Sequence, residues 1–265
     1  MKGACTVKTF ANGIAINYHL GGSGPPLTLI HALGLDLRQW RWQVPAFSAR
    51  HQVLRYDVRG HGHSEKPPGP YSLELFAEDL HGLLVALGIT RASLLGLSMG
   101  GMIAQTFTLA HPEMVDSLIL ADTSSQFGPD ARQQFEDRAR TAESQGIGPL
   151  VEGILERWFT ASFRQREPGV VDEIRAILKE NDPSAYAAAC LAVSRLDLAA
   201  RLHEIRCPTL VLVGEEDPGT PPEVARRIHE AIPGSRLEVI PEVSHLSNVG
   251  QPEAFNSAVL AFLGR

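Results

Sequence analysis

Short apolar runs alternate with amphipathic stretches along the first half of the chain. Residues 6–10 and 14–20 flank Asn12–Gly13, the residue pair that favours a two-residue hairpin turn. The apolar runs 27–32 and 52–57 read as buried strands. Residues 72–88 space Leu75, Leu80, Leu83, Leu84 and Leu87 near the helical period, which predicts an amphipathic helix. A strand over 92–97, a helix over 100–112 stopped by Pro112, and a strand over 115–122 follow. From 124 to 196 the rhythm changes to several helical stretches, each opening near Pro or Gly, with no strand among them. It then resumes as a strand (207–217), a helix (221–234), a strand (235–245) and a last helix (251–263). Strands alternating with helices predict an α/β fold: a mostly parallel eight-stranded sheet covered by helices on both faces. The core then comprises 1–123 and 197–265, and 124–196 forms a helical cap.

Composition narrows the partners more than the fold. The 265 residues suit one large domain with an insertion. A net charge of −6 argues against nucleic acid or an anionic membrane as partner and leaves a small molecule. Cys5, Cys190 and Cys207 are an odd, scattered set without metal or disulfide spacing, so free thiols are expected. The first residues contain no apolar signal core, and no run approaches the ~18 apolar residues of a membrane span. The expected location is the cytoplasm.

The chemistry concentrates at Gly96-Leu-Ser-Met-Gly100. A serine between glycines, after a strand and before a helix, is the context of the nucleophile elbow. A serine hydroxyl needs a base, and the chain order of such sites is serine, acid, histidine. His245 lies in the loop after the last predicted strand, and Asp217 lies just past the strand before it. These give Ser98 as nucleophile, His245 as base and Asp217 as the acid that orients it. Asp122, ending another strand, competes with Asp217 for that role. The oxyanion donors are expected to be the backbone N–H groups of Met99 and Leu33, the latter in the loop His31-Ala-Leu-Gly-Leu-Asp36.

Other residues carry weaker signals. His31 shapes that loop and is a candidate pocket residue. Trp158 and Phe159, with Phe163, either line the pocket or fill the core of the cap. His61 and His63 stand two apart but lack a third ligand and sit among turn residues, so no metal is expected there. Trp40 and Trp42 read as packing residues. Should the substrate be an anion, Arg132, Arg138, Arg157 and Arg164 are the candidate cations of the cap.

The segments HALGLD, YDVRGHGHSEKPPGPYS, GLSMGG, GEEDPGTPP and SHLSNVGQPEAF together resemble the α/β-hydrolase superfamily, and within it the 3-oxoadipate enol-lactonases. The similarity runs nearly the whole chain and includes ILERWFTASF in the cap. It implies the α/β-hydrolase fold, a Ser98–Asp217–His245 triad, no cofactor, and ester or lactone hydrolysis through an acyl-enzyme. Two departures stand out. Those lactonases read like NSLGTD where this chain has HALGLD, and the first half of the cap diverges. General carboxylesterase or cofactor-free perhydrolase chemistry suits the same triad, and a binding protein with a silent site is the alternative outside enzymes.

Overall fold

A computed structural model describes residues 7–264. Cys5, and with it one of the three expected free thiols, lies outside the described residues; Cys190 is free and buried, and Cys207 is free and half-buried. Eight strands form one sheet: β1 (Val7–Ala11), β2 (Ile14–Gly22), β3 (Pro26–Ile30), β4 (Gln52–Tyr56), β5 (Ala92–Leu97), β6 (Val115–Ala121), β7 (Thr209–Gly214) and β8 (Arg236–Ile240), in the order β1-β2-β4-β3-β5-β6-β7-β8. β1 and β2 form the expected hairpin, and Asn12 (φ +44°) and Gly13 (φ +78°) both take the left-handed conformation its tight turn requires. β2 also runs antiparallel to β4, and every other pairing is parallel. Every residue of β5 and β7 is buried, as central strands covered on both faces demand.

The core helices are α1 (Val44–Phe47), α2 (Leu73–Ala86) and α3 (Met99–Ala110), with α9 (Pro222–Ala231), α10 (Ser247–Gly250) and α11 (Pro252–Leu263) after the insertion. Ser72 caps α2 by accepting the Leu75 N–H at 3.1 Å. Between β6 and β7 lie α4 (Pro129–Gln145), α5 (Val151–Trp158), α6 (Ala161–Arg166), α7 (Pro168–Lys179) and α8 (Pro183–Ser194). α6 goes unannounced by periodicity because it is under two turns long; the Thr160 hydroxyl starts it by accepting the Phe163 N–H. The strands of chain entering and leaving this helical block meet at Gln126 and Asp197, where Leu198 N–H donates to the Ser125 carbonyl at 2.7 Å. No helix among the described residues is long and apolar enough to cross a membrane.

One boundary differs from expectation in a way that matters. The strand expected over 235–245 stops at Ile240. Glu242 turns the chain with φ +56°, and the following loop packs onto Gly214, where any side chain would meet the Ser244 carbonyl at 2.4 Å. That close approach swings residues 243–246 over the end of β7.

Candidate active site

The end of β5 and the start of α3 meet at Ser98, which is held at φ 56°, ψ −117°. This is a strained backbone for a residue with a side chain, and it lifts the hydroxyl clear of the sheet. Two close approaches make the bend possible. A Cβ on Gly96 would lie 2.1 Å from the Gly100 carbonyl oxygen, and one on Gly100 would lie 2.0 Å from that of Ile30. The turn is pinned by Ser98 N–H to the Ala121 carbonyl and by the Thr123 hydroxyl, which donates to the Ser98 carbonyl at 2.7 Å.

Ser98, His245 and Asp217, 147 and 28 positions apart in sequence, come together in one chain of hydrogen bonds. The Ser98 Oγ lies 2.9 Å from His245 Nε2, and His245 Nδ1 lies 2.7 Å from Asp217 Oδ2. Asp217 is ionised in this setting, so Nδ1 carries the proton and Nε2 is left to accept from the serine. Asp217 also accepts from the N–H groups of Gly219 (2.8 Å) and Thr220 (3.1 Å) and from the Thr220 hydroxyl (2.7 Å). Burial pushes its carboxyl up, but facing His245 and these donors pull it below the usual range. Burial pulls the His245 imidazole down, but the Asp217 charge and hydrogen bond, then Asp122, leave it above its ordinary value. A hydroxyl aligned on a neutral imidazole nitrogen backed by a carboxylate can lose its proton as it attacks a carbonyl carbon.

Asp122 does not bond to His245. Its fully buried carboxylate instead accepts from Gly214 N–H at 2.8 Å, at the end of β7, and from the N–H and hydroxyl of Ser247 at the start of α10. It therefore braces the two segments that carry Asp217 and His245. Burial first, and then the nearby Asp217 charge, raise its carboxyl above the usual range.

A cavity of about 110 Å³ opens on the Ser98 hydroxyl. Leu33 and Met99 line it, and their N–H groups hydrogen-bond to nothing else among the described residues. Trp158 also lines it, its ring nearly parallel to that of His245 at 6.5 Å. The two other expected pocket residues do not reach it. His31 is wholly buried: its Nδ1–H donates to the Ala32 carbonyl (2.8 Å) and its Nε2 accepts from Val58 N–H (2.9 Å), which anchors the loop that presents Leu33. Burial pulls its imidazole down to about 4, so it stays neutral. Phe159 turns away to stack on Phe163 at 5.0 Å inside the cap, because successive side chains past the end of α5 point in different directions. His61 packs edge-on against His31, and His63 N–H donates to Asp57 in the adjoining turn. Trp40 is buried against Phe255.

Of the four candidate arginines, Arg138 and Arg157 line the cavity. Arg132 bonds to the Phe127 carbonyl at 2.9 Å and Arg164 faces Glu156 at 3.6 Å. Arg138 donates to the Tyr186 hydroxyl and lies 5.2 Å over the Phe135 ring, while its Nε is buried without a partner. Neither guanidinium forms an ion pair among the described residues; Arg157 is the more exposed of the two, and partial burial and then the Arg138 charge pull it below its ordinary value. Sequence reasoning missed Thr220, which lines the cavity and holds Asp217; its signal was a hydroxyl three residues past an acid, the spacing of a side-chain-capped turn. It also missed Ser244, whose hydroxyl donates to the Arg157 carbonyl at 2.7 Å and so ties the histidine loop to the cap.

The profile of the alpha/beta hydrolase fold family matches residues 25–252. The chain is 36% identical to 3-oxoadipate enol-lactonase 2 of Acinetobacter baylyi over 257 residues, 96% of this chain and 95% of the relative. Among solved structures it is similar to the enol-lactonase from Burkholderia xenovorans LB400 (TM-score 0.95, 36% identity, 98% and 100% of the two chains). It is also similar to a thermophilic esterase from Thermogutta terrifontis solved with malate bound (TM-score 0.93, 33% identity, 98% of each chain). The chain belongs to the alpha/beta hydrolase family. Within that class it is a carboxylic ester hydrolase, acting on small esters or lactones.

Proposed function

We propose that this enzyme hydrolyses a small lactone or ester that itself carries a carboxylate, with 3-oxoadipate enol-lactone as the leading substrate. The observation that carries the reading is one cavity holding both the Ser98–His245–Asp217 chain and two guanidiniums, of Arg138 and Arg157, that form no ion pair among the described residues. Arg138 is half-buried and its Nε, shut off from water, has no partner, so an anionic substrate neutralises a poorly solvated charge on binding. The enol-lactonase relatives and the esterase solved with malate support the same substrate class. Residues 124–196 act as the cap that selects the substrate, and 1–123 with 197–265 act as the hydrolase core.

In the mechanism, Ser98 Oγ attacks the carbonyl carbon while His245 Nε2 takes its proton. The N–H groups of Leu33 and Met99, and the positive end of α3, stabilise the oxyanion. Collapse breaks the bond to the ring oxygen, which takes the proton from His245 and remains attached through the acyl chain. Water, deprotonated by His245, then attacks the acyl-enzyme; the Ser98 Oγ–acyl bond breaks, His245 returns the proton to Oγ, and the free acid leaves. No step calls for a cofactor or metal. The enzyme works in the cytoplasm, where the thiols of Cys190 and Cys207 stay reduced.

A fluorophosphonate probe is expected to label the wild type and not Ser98→Ala; labelling that survives the substitution removes Ser98 from the role. Turnover is then compared on 3-oxoadipate enol-lactone, simple lactones and p-nitrophenyl esters. Fast hydrolysis of short neutral esters with none of the enol-lactone gives the second reading, a general carboxylesterase. The apolar side of the cavity, formed by Leu33, Met102, Phe127, Trp158 and Val193, favours that reading.

A further inference from the structure

We propose that the enzyme has a metal site remote from its catalytic cavity, in which Glu78, His81 and His111 bind one late first-row divalent ion such as Zn²⁺. Glu78 and His81 lie one turn apart on α2, and His111 immediately follows α3. One ligand atom from each lies within 4.8 Å of the other two. The His111 Nε2 is 2.9 Å from Glu78 Oε1, and the His81 Nδ1 is 3.9 Å from Glu78 Oε2. The two imidazole rings are stacked at 4.3 Å and 6°, so their in-plane lone pairs run side by side and the His81 ring must turn out of the stack for both to meet one ion. His111 is backed by the Phe107 ring at 5.1 Å, which leaves its nitrogen edge toward Glu78.

Two imidazoles and one carboxylate are the donor set of Zn²⁺, Ni²⁺ and Cu²⁺ rather than Mg²⁺ or Ca²⁺. Bonds of about 2.0–2.2 Å bring donors of a tetrahedral ion to roughly 3.4 Å from one another, so the His111–Glu78 pair, now at 2.9 Å, opens slightly while His81 moves in. Side-chain rotation of the half-exposed Glu78 and His81 onto the better-held His111 supplies that movement. Water fills the remaining positions. The ion would staple α2 to the end of α3 and raise stability by binding the folded chain alone. α3 spans 12 residues, so the site stands about 18 Å along the helix from Ser98, and the ion takes no part in ester hydrolysis. Thirty positions (111 − 81) separate the two histidines, so no metal motif marks them in the sequence; packing of α2 on α3 brings them together.

The test uses the full chain after treatment with a chelator. Zn²⁺ is titrated by calorimetry and Co²⁺ by visible absorption. One equivalent is expected to bind, with affinity falling about tenfold or more in each of His81→Ala, His111→Ala and Glu78→Gln, and with loss of the Co²⁺ band. Ester hydrolysis by the same samples is expected to stay within about twofold of wild type, which reports that each variant is folded. His81 and Glu78 are exposed enough to keep the test valid if His111→Ala misfolds. Absence of stoichiometric binding to the wild type, or binding unchanged across the three variants, overturns the site.

Discussion

Arg138→Met removes the charge from the cavity while keeping much of the side chain's length. The guanidinium has a buried Nε with no partner and forms no ion pair among the described residues, so a substrate carboxylate is its natural counter-ion. Hydrogen bonds to a charged group contribute about 1.5–3 kcal/mol, which at RT of about 0.59 kcal/mol is roughly a 10–150-fold change in binding. Arg157 remains on the cavity wall and still attracts an anion, so the lower end of that range is expected. The assay is kcat/KM for two matched esters, mono-p-nitrophenyl glutarate and p-nitrophenyl butyrate. The acidic ester should lose about 10–50-fold and the neutral one less than about threefold, most of the change lying in KM. The substitution also strips the partner from the buried Tyr186 hydroxyl, at about 1–3 kcal/mol of stability. Arg138→Lys, which keeps charge and donor, controls for that loss and should retain most of the preference for the acid. Equal losses on the two esters, or an unchanged ratio, would refute the argument that Arg138 selects an anion.

Four further outcomes follow from the site. Asp217→Asn should lower kcat by about 10⁴, because the imidazole loses the partner that fixes its tautomer. In wild type, kcat/KM should rise with pH through a midpoint above 6.5, since His245 must be neutral and its pKa is raised; in Asp217→Asn the midpoint should move to lower pH, because the charge that favours the imidazolium is gone. Asp122→Asn should cost less than about tenfold in kcat but weaken the bonds to Ser247, about 1.5–3 kcal/mol or roughly 3–12 °C in melting temperature; if it costs more activity than Asp217→Asn, the acid has been misassigned. Gly100→Ala should destabilise by more than about 4 kcal/mol, its Cβ meeting the Ile30 carbonyl oxygen, whereas Gly153→Ala on open α5 should be stabilising by up to about 1 kcal/mol; thermal melts of the pair decide it.

The succession of strands and helices was legible because local period reports the environment of each element. Buried central strands such as β5 and β7 must be apolar throughout, and helices lying on a sheet must be striped. Ser98, Asp217 and His245 were legible for a related reason: each lies at the carboxyl end of a strand, and parallel strands bring those ends to one edge. The glycines around Ser98 marked a close backbone approach before the approaching atoms were known.

What escaped the sequence depends on direction and on distant neighbours. Asp122 and Asp217 end adjacent strands, and only the folded chain turns one toward His245 and the other toward Gly214 and Ser247. His31 and Phe159 carried plausible chemistry for a pocket, yet a hydrogen bond from Val58 draws the first inward and a partner ring draws the second into the cap. The candidate arginines Arg132, Arg138, Arg157 and Arg164 are equivalent as letters; Glu156 and the Phe127 carbonyl engage Arg164 and Arg132, while Arg138 and Arg157 line the cavity that holds Ser98. Local sequence determines an element's type because propensity and period act over a few residues. Tertiary structure decides which of its side chains face the substrate, because that depends on groups up to a hundred or more positions away.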